Sequence, residues 1–250
     1  MKWTTTLLIA LVLAAGCAKG KPHVAPTRHT FVDLPAAESG VTEKEDEMDI
    51  TIPAFNPLTA AGGASQLTAL FRGADRKGAK TSIGSGSREQ FGDLAALVAT
   101  LPSDDKMLHH TPPIARDTMT RATEEARNVR VPAWIYAVKY EADQDWHVIL
   151  GTDPSASGAR TFFNGEVSGL PTSSATAFST LKQVRTSLAD ILSGELPSGT
   201  GYRKYDQPIG VIVEGSLFFD VDHAAGVVGP TDMRPQTAWE VHPITKLVVQ

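Results

Sequence analysis

Aromatic residues are divided so unevenly along this chain that they locate its core before any element is assigned. Twelve fall between Val129 and Gln250, Trp134, Trp146 and Trp239 among them, whereas Ala18 to Asn128 holds four, all phenylalanine. Each buried aromatic removes a large apolar area from water, so the core is expected in the C-terminal half, with a domain boundary near residue 128. A chain of 250 residues has room for one such domain and a long arm, but little for two full domains. At 42% hydrophobic and 20% charged it lies near ordinary globular usage, which excludes wholesale disorder, a coiled coil and a collagen-like repeat.

The C-terminal half reads as strands around one helix. Val129, Val131, Ala133, Ile135 and Ala137 alternate with Arg130, Pro132, Trp134, Tyr136 and Val138, the period of a strand rich in β-branched and aromatic residues. The polar run Glu141 to Asp145 predicts a turn, Trp146 to Thr152 a second strand and Thr161 to Ser168 a third. Phe178, Leu181, Val184, Leu188, Ile191 and Leu192 then form a stripe at helical spacing, with Gly194 placed to close it. Ile209 to Val221 predicts a long fourth strand, which Gly210 and Gly215 would allow to bend sharply, and Ala238 to Val249 the fifth. Three strands, a helix and two strands predict a mainly β fold with α: an OB-like, five-stranded, partly open barrel with its helix between strands 3 and 4. An open α+β sheet is the alternative.

The N-terminal half is expected to be an accessory. Residues 1–16 have the form of a signal peptide: Lys2, an uncharged run from Leu7 to Ala15, and small residues before Cys17. The 13 apolar-rich residues from Trp3 to Ala15 are short of the roughly 20 that cross a bilayer as a helix. Cys17 is the sole cysteine, so an exported chain has no internal disulfide to make with it. Residues 17–87 read as a flexible low-complexity tether, with an acidic run at Glu43 to Asp49 and Gly/Ala/Ser-rich stretches at 60–65 and 84–87. Lys80-Thr81 lacks the strand and helix that frame a phosphate-binding loop. Residues 88–128 are expected as a helical lead-in, one helix over Arg88 to Leu101 and a second over Asp117 to Arg127, with Asp117 as N-cap.

The region around Cys17 resembles a bacterial lipoprotein signal, in which the cysteine after a small-residue box is lipidated and becomes the mature N-terminus. Ala14 departs from it, standing where leucine is commonest. The resemblance implies several acyl chains on Cys17, firmer anchoring than one chain gives, and Ala18 beside it implies sorting to the outer membrane where the source has one. The segments NVRVPAWIYAVKYEADQDWHVILG (Asn128 to Gly151), NGEVSGLP (Asn164 to Pro171), VEGSLFFDVDHAAGVVGP (Val213 to Pro230) and TAWEVHPI (Thr237 to Ile244) resemble an uncharacterised family of bacterial envelope lipoproteins with an OB-like C-terminal domain. That likeness implies the fold and leaves the activity open.

The sharpest candidate cluster is Asp220, Asp222 and His223 at the end of the fourth strand with Glu240 and His242 on the fifth. Alternate strand residues share a face, so in an antiparallel pair these five groups can converge. Carboxylates with imidazoles suit Zn²⁺, Mn²⁺ or Fe²⁺, and an open metal site would activate water for hydrolysis; the scaffold alternative has Asp220 and Asp222 organising a loop. His147 and Glu166 are further polar groups in strands, Glu166 an acid or base if buried. Trp134 and Tyr136 offer a candidate binding surface if exposed, or core packing against the N-terminal helices. His109-His110 is a weak metal cue against an exposed turn, and Ser216 lacks a nucleophile elbow.

The net charge of −5, with nine Lys or Arg against thirteen Asp or Glu from Val129 onward, argues against nucleic acid as a partner. The leading expectation is a lipid-anchored, exported envelope protein that binds an envelope protein or small ligand without catalysis, with no cofactor expected. The alternative is a metal-dependent, phosphodiesterase-like hydrolase using the Asp/His/Glu cluster with a divalent metal; a purely structural envelope role is a third.

Overall fold

The computed structural model describes residues 28–35, 64–197, 199, 201–225 and 228–250. Residues 1–16, read above as a signal peptide, Cys17, the acidic run 43–49 and the Gly/Ala-rich stretch before residue 64 lie outside the described residues.

The fold is mainly β with α. Five strands correspond to those expected: β3 (Asn128–Tyr140), β4 (Trp146–Gly151), β5 (Phe162–Val167), β6 (Arg203–Phe219) and β7 (Trp239–Val249). Two short strands add to them. β1 (Phe31–Asp33) pairs antiparallel with the start of β6, and β2 (Arg88–Gln90) pairs parallel with the start of β3. The five long strands pair edge to edge in the order β3-β4-β5-β7-β6, and β6 returns to β3, so the pairings form a ring. All are antiparallel except β5 with β7. β6 begins six residues before the predicted start at Ile209.

Inside the ring sit fully buried Val131, Val148, Leu150, Phe163, Val167, Val213, Phe219, Trp239 and Val241, the apolar half of each alternation. Gly215 marks an irregularity where β7 crosses β6 closely: a Cβ there would fall 2.5 Å from the Pro243 carbonyl oxygen. The helix α5 (Phe178–Ile191) lies between β5 and β6 in sequence and buries Leu181, Val184, Leu188 and Ile191, as its stripe predicts. Gly194, at φ 78, closes it by donating its N–H to the Ala189 carbonyl at 2.7 Å. Arg185 of this helix is buried; its guanidinium lies 4.1 Å from the Trp146 ring centroid and donates to the Gln144, Val167 and Ser168 carbonyls.

The N-terminal region departs from expectation. Residues 64–87 are docked and not a tether: Phe71, Arg76, Ala79 and Lys80 are buried, and Phe71 N donates to the Leu170 carbonyl and Leu170 N to the Ala69 carbonyl, each at 2.9 Å. The small residues that suggest a linker here serve close approach instead, since a Cβ on Gly84 would fall 2.7 Å from the Ala126 carbonyl oxygen. Short helices α1 (Ala64–Leu67) and α2 (Lys77–Lys80) interrupt this segment. The predicted helix over Arg88 to Leu101 divides into β2 and α3 (Leu94–Val98), because β3 captures the first residues and Asp93 starts a new N-terminus by accepting from Ala96 N at 2.7 Å. α4 (Asp104–Leu108) follows, and the predicted second helix is only a 3₁₀ turn at Thr123–Ala126. Asp117 caps no helix there, because Arg121 and Glu125 are drawn into buried side-chain contacts that fix the chain around them.

Candidate functional site

The strands that send Val148 and Phe163 inward send His147, Asn164 and Glu166 to the outer face. Register then aligns polar groups across three strands: His147 on β4 lies opposite Glu166 on β5, and Asn164 on β5 opposite Glu240 on β7. The loop between β3 and β4 adds Glu141 and Asp145, and the loop after β6 adds Asp220 and His223.

Two sets of donors result. His147 Nδ1 lies 3.5 Å from Glu141 Oε1 and 3.6 Å from Glu166 Oε1, with the Tyr202 hydroxyl at 3.0 Å. His223 places Nδ1 3.7 Å from Glu240 Oε2 and Nε2 3.9 Å from Asp220 Oδ2. The two imidazoles face each other nearly parallel, 7° apart, with centroids separated by 5.9 Å. Beside them His242 bridges two carboxylates, Nδ1 at 3.0 Å from Glu240 Oε1 and Nε2 at 3.3 Å from Asp145 Oδ2. Lys80 pairs with Asp220 at 3.5 Å and Lys139 with Glu141 at 3.1 Å.

This face is dry. His147 is fully buried, and Glu240 and His242 are each 1% exposed. Its roof is the chain's own N-terminal region. Arg76 and Glu125 form a buried two-pronged pair at 2.7 and 2.8 Å, the guanidinium 4.6 Å from the Phe218 ring centroid. Arg121 ties the roof to the strands by donating to the carbonyls of Leu217, Ala79, Ser82 and His242 at 2.6–2.7 Å. Burial lowers the Arg121 guanidinium to about 10, partly offset by Glu125.

Burial also sets the acid–base character of the face. Desolvation pushes the Glu166 carboxyl well above its usual range; Glu141, Glu240 and Asp145 add to this and His147 opposes it. For His242 burial disfavours the charged ring, but its bonds to Asp145 and Glu240 outweigh that and raise it.

Of the five groups expected to converge, Asp220, His223, Glu240 and His242 do, and Asp222 does not. The Asp222 carboxylate turns away to Arg116, while its backbone N–H donates to Asp220 Oδ1 at 2.9 Å. His147 and Glu166, read separately from that cluster, belong beside it. Glu141, Asp145, Lys80 and Tyr202 were not singled out by sequence; three acids within Glu141 to Asp145 read as an ordinary polar turn, and only pairing to β5 and β7 gives them a destination.

Trp134 and Tyr136 do not form an exposed stacking platform. A bulge between Ile135 and Ala137 places Ala137 with Tyr136, apart from the ring interior, in a cluster with Ile149, Tyr202 and Met233. Tyr136 is 5% exposed, its hydroxyl donates to the Thr152 carbonyl at 2.9 Å, and its ring meets Phe162 edge to face. The packing partners are therefore Phe162 and the loop after β6, not the N-terminal helices. His109 is exposed, and His110 Nε2 lies 3.1 Å from Glu124.

No family model matches the chain, and neither a curated protein nor a solved structure matches it. No helix among the described residues is long and apolar enough to cross a membrane. Both Glu141/His147/Glu166 and Asp220/His223/Glu240 have the donor types and closeness to hold a cation.

Proposed function

We propose that this chain is an exported bacterial envelope lipoprotein, anchored by acyl chains on Cys17, whose OB-like barrel carries one closed ligand seat and catalyses no reaction. The leader supports the anchor: a cationic start, a short apolar run and small residues before a sole cysteine. The strand order supports this reading: five strands pair in a ring, and the helix lies between the third and fourth of them in chain order, as is common in OB folds. OB barrels bind on the face of their second and third strands, between the loops joining strands 1–2 and 4–5. Here those are β4, β5 and the loops that supply Glu141, Asp145, Asp220 and His223. The location rests on analogy of fold; the chemistry rests on the residues.

One observation carries the non-catalytic reading. The polar face is covered by the chain's own residues, Arg76, Lys80 and Arg121 among them, leaving Glu240 1% exposed. A hydrolytic metal site keeps a position open to substrate, so the hydrolase reading requires that Arg76, Arg121 and the segment they pin move aside.

Two measurements test this. Cell fractionation should place the wild type with membranes and the Cys17→Ala chain in the soluble envelope fraction; a soluble wild type overturns the anchor. The purified full chain, incubated with a chromogenic phosphodiester and Zn²⁺ or Mn²⁺, should release no product above the protein-free rate. Turnover abolished by Glu240→Gln and His223→Ala would overturn the non-catalytic reading in favour of a hydrolase.

A further inference from the structure

The outer face holds five buried or half-buried carboxylates, Glu141, Asp145, Glu166, Asp220 and Glu240, against the cations Lys80 and Lys139 and the nearby Arg121. Negative charge in a desolvated place is offset by bound protons, by neighbouring imidazoles or by a bound cation. The atoms indicate which, and where.

Glu240 is the key group. Its Oε1 is engaged by His242 at 3.0 Å, and His242 is held from its other side by Asp145 at 3.3 Å. With Oε1 held by the His242 hydrogen bond, Oε2 turns toward His223 Nδ1 at 3.7 Å. Glu240 Oε2 is buried and has no hydrogen-bond partner among the described residues. A buried carboxylate oxygen without a donor is costly, and the direction in which this one points is toward an imidazole nitrogen and a second carboxylate.

We propose that Asp220, His223 and Glu240 bind one divalent transition-metal ion, and that His242 and Asp145 act as positioning residues for Glu240. The proposal rests on reading this face as the ligand seat, and adds the class of ligand. One donor atom from each of the three residues lies within 4.8 Å of the others. Ligands about 2.0–2.2 Å from a tetrahedral ion stand about 3.3–3.6 Å apart, so rotations that bring the donors together by about 1 Å complete the site. One imidazole with two carboxylates suits Zn²⁺ or Mn²⁺ better than Ca²⁺, which takes six or more oxygens. Outer partners that hold a ligand in place are a general feature of metal sites, and His242 has that role here. The neighbouring Glu141/His147/Glu166 set is the weaker location: the Tyr202 hydroxyl lies 3.0 Å from His147 Nδ1, and Lys139 stands 3.1 Å from the Glu141 oxygen that faces the imidazole, nearer than the 3.5 Å at which Lys80 stands from Asp220 Oδ2.

The test uses the full chain in detergent, stripped with chelator and titrated with Zn²⁺ alone, bound metal being counted by elemental analysis. The wild type should retain one ion per chain. His223→Ala and Glu240→Gln should retain none, and His242→Gln should bind about 10- to 100-fold more weakly. His147→Ala should keep the ion. Replacing Zn²⁺ by Co²⁺ in the wild type should show a single shifted imidazole N–H resonance, a reading that needs no variant to fold. No stoichiometric metal, metal that survives both ligand substitutions, or metal lost with His147→Ala and kept with His223→Ala overturns the site. Absence of metal with no turnover removes this proposal and leaves the tethered binding module standing. Bound metal with turnover keeps the site and removes the non-catalytic reading.

Discussion

The two faces of β4, β5 and β7 are equally dry and chemically opposite. Inward, Val148, Phe163 and Val241 are fully buried among other apolar side chains; outward, His147, Glu166 and Glu240 are at most 3% exposed among carboxylates and imidazoles. The inner face is stabilised by the area it removes from water, about 25 cal/mol per Å². The outer face has no such return, since burying ionisable groups costs more than their mutual attraction reliably repays. An outer face left wet would carry these side chains at little cost. Here the stretches around Arg76 and Arg121 are laid over part of that face, while Leu94, Leu97 and Met107 between them pack with the inner core. Burial alone therefore does not identify what a region is for: one face holds the fold together, and the other is kept dry at a cost that a bound ligand would explain.

The largest effect should come from breaking the roof at its anchor. Glu125 accepts two bonds from Arg76, one from Phe219 N at 2.9 Å and one from Ala122 N at 2.6 Å, all in a buried place. Glu125→Ala leaves Arg76 charged and unpaired, and should lower stability to urea by about 3–5 kcal/mol. A loss under about 1 kcal/mol would mean that the roof docks only loosely and that the contrast between the faces has been overdrawn.

The inner face was largely legible in sequence and the outer face was not, for a physical reason. Period-two apolar residues from Val129 to Ala137 and from Val211 to Phe219, and the helical stripe from Phe178 to Leu192, announce elements by local pattern alone. The bulge at Tyr136, which regroups Ala137 with the outer cluster, is set by pairing with β4 and β6 and leaves no local mark. The same holds for the site. Asp220 and His223 just past β6, and Glu240 and His242 on β7, can be grouped from sequence, but His147 reaches them only because β5 and β7 pair in parallel. The roof escaped because its contacts are made by small residues and long cations. Gly84, Ala79, Arg76 and Arg121 carry the composition of a linker and the geometry of a clamp.

The next effect concerns charge on the outer face. Burial, reinforced by Glu141, Glu240 and Asp145, raises the Glu166 carboxyl well above the 4.5 of an ordinary glutamate. The folded chain thus holds a proton that the unfolded chain releases near 4.5, and stability linked to this group falls as pH rises from about 4.5 through the raised value. Carboxylates held low, such as Glu89 beside Arg127, lose their contribution below that window and do not mask it. In the presence of chelator, the urea midpoint of the wild type should decline with rising pH across this range, and that of Glu166→Gln should decline less. A wild-type midpoint that rises instead would show the outer face to be held by ionised, paired carboxylates, which would bring it closer in character to a salt-bridge network.

The smallest effect separates two aspartates that sequence placed together. Asp220 turns inward, 4% exposed, with Lys80 and His223 facing it; Asp222, two residues on, turns to Arg116, whose side chain is 43% exposed. An ion pair with one partner in solvent contributes little, and burial together with the Asp220 charge raises the Asp222 carboxyl, so its ionised form gains less than the Arg116 contact suggests. Asp222→Asn should change stability by no more than about 1 kcal/mol and leave zinc binding at one ion per chain. Asp220→Asn, with the same loss of one negative charge from the same loop, should abolish that binding. Equal loss in both variants would show that the metal responds to the net charge of the loop and not to the coordination at Asp220, because two residues of separation change the local field little but move the donor oxygen out of reach.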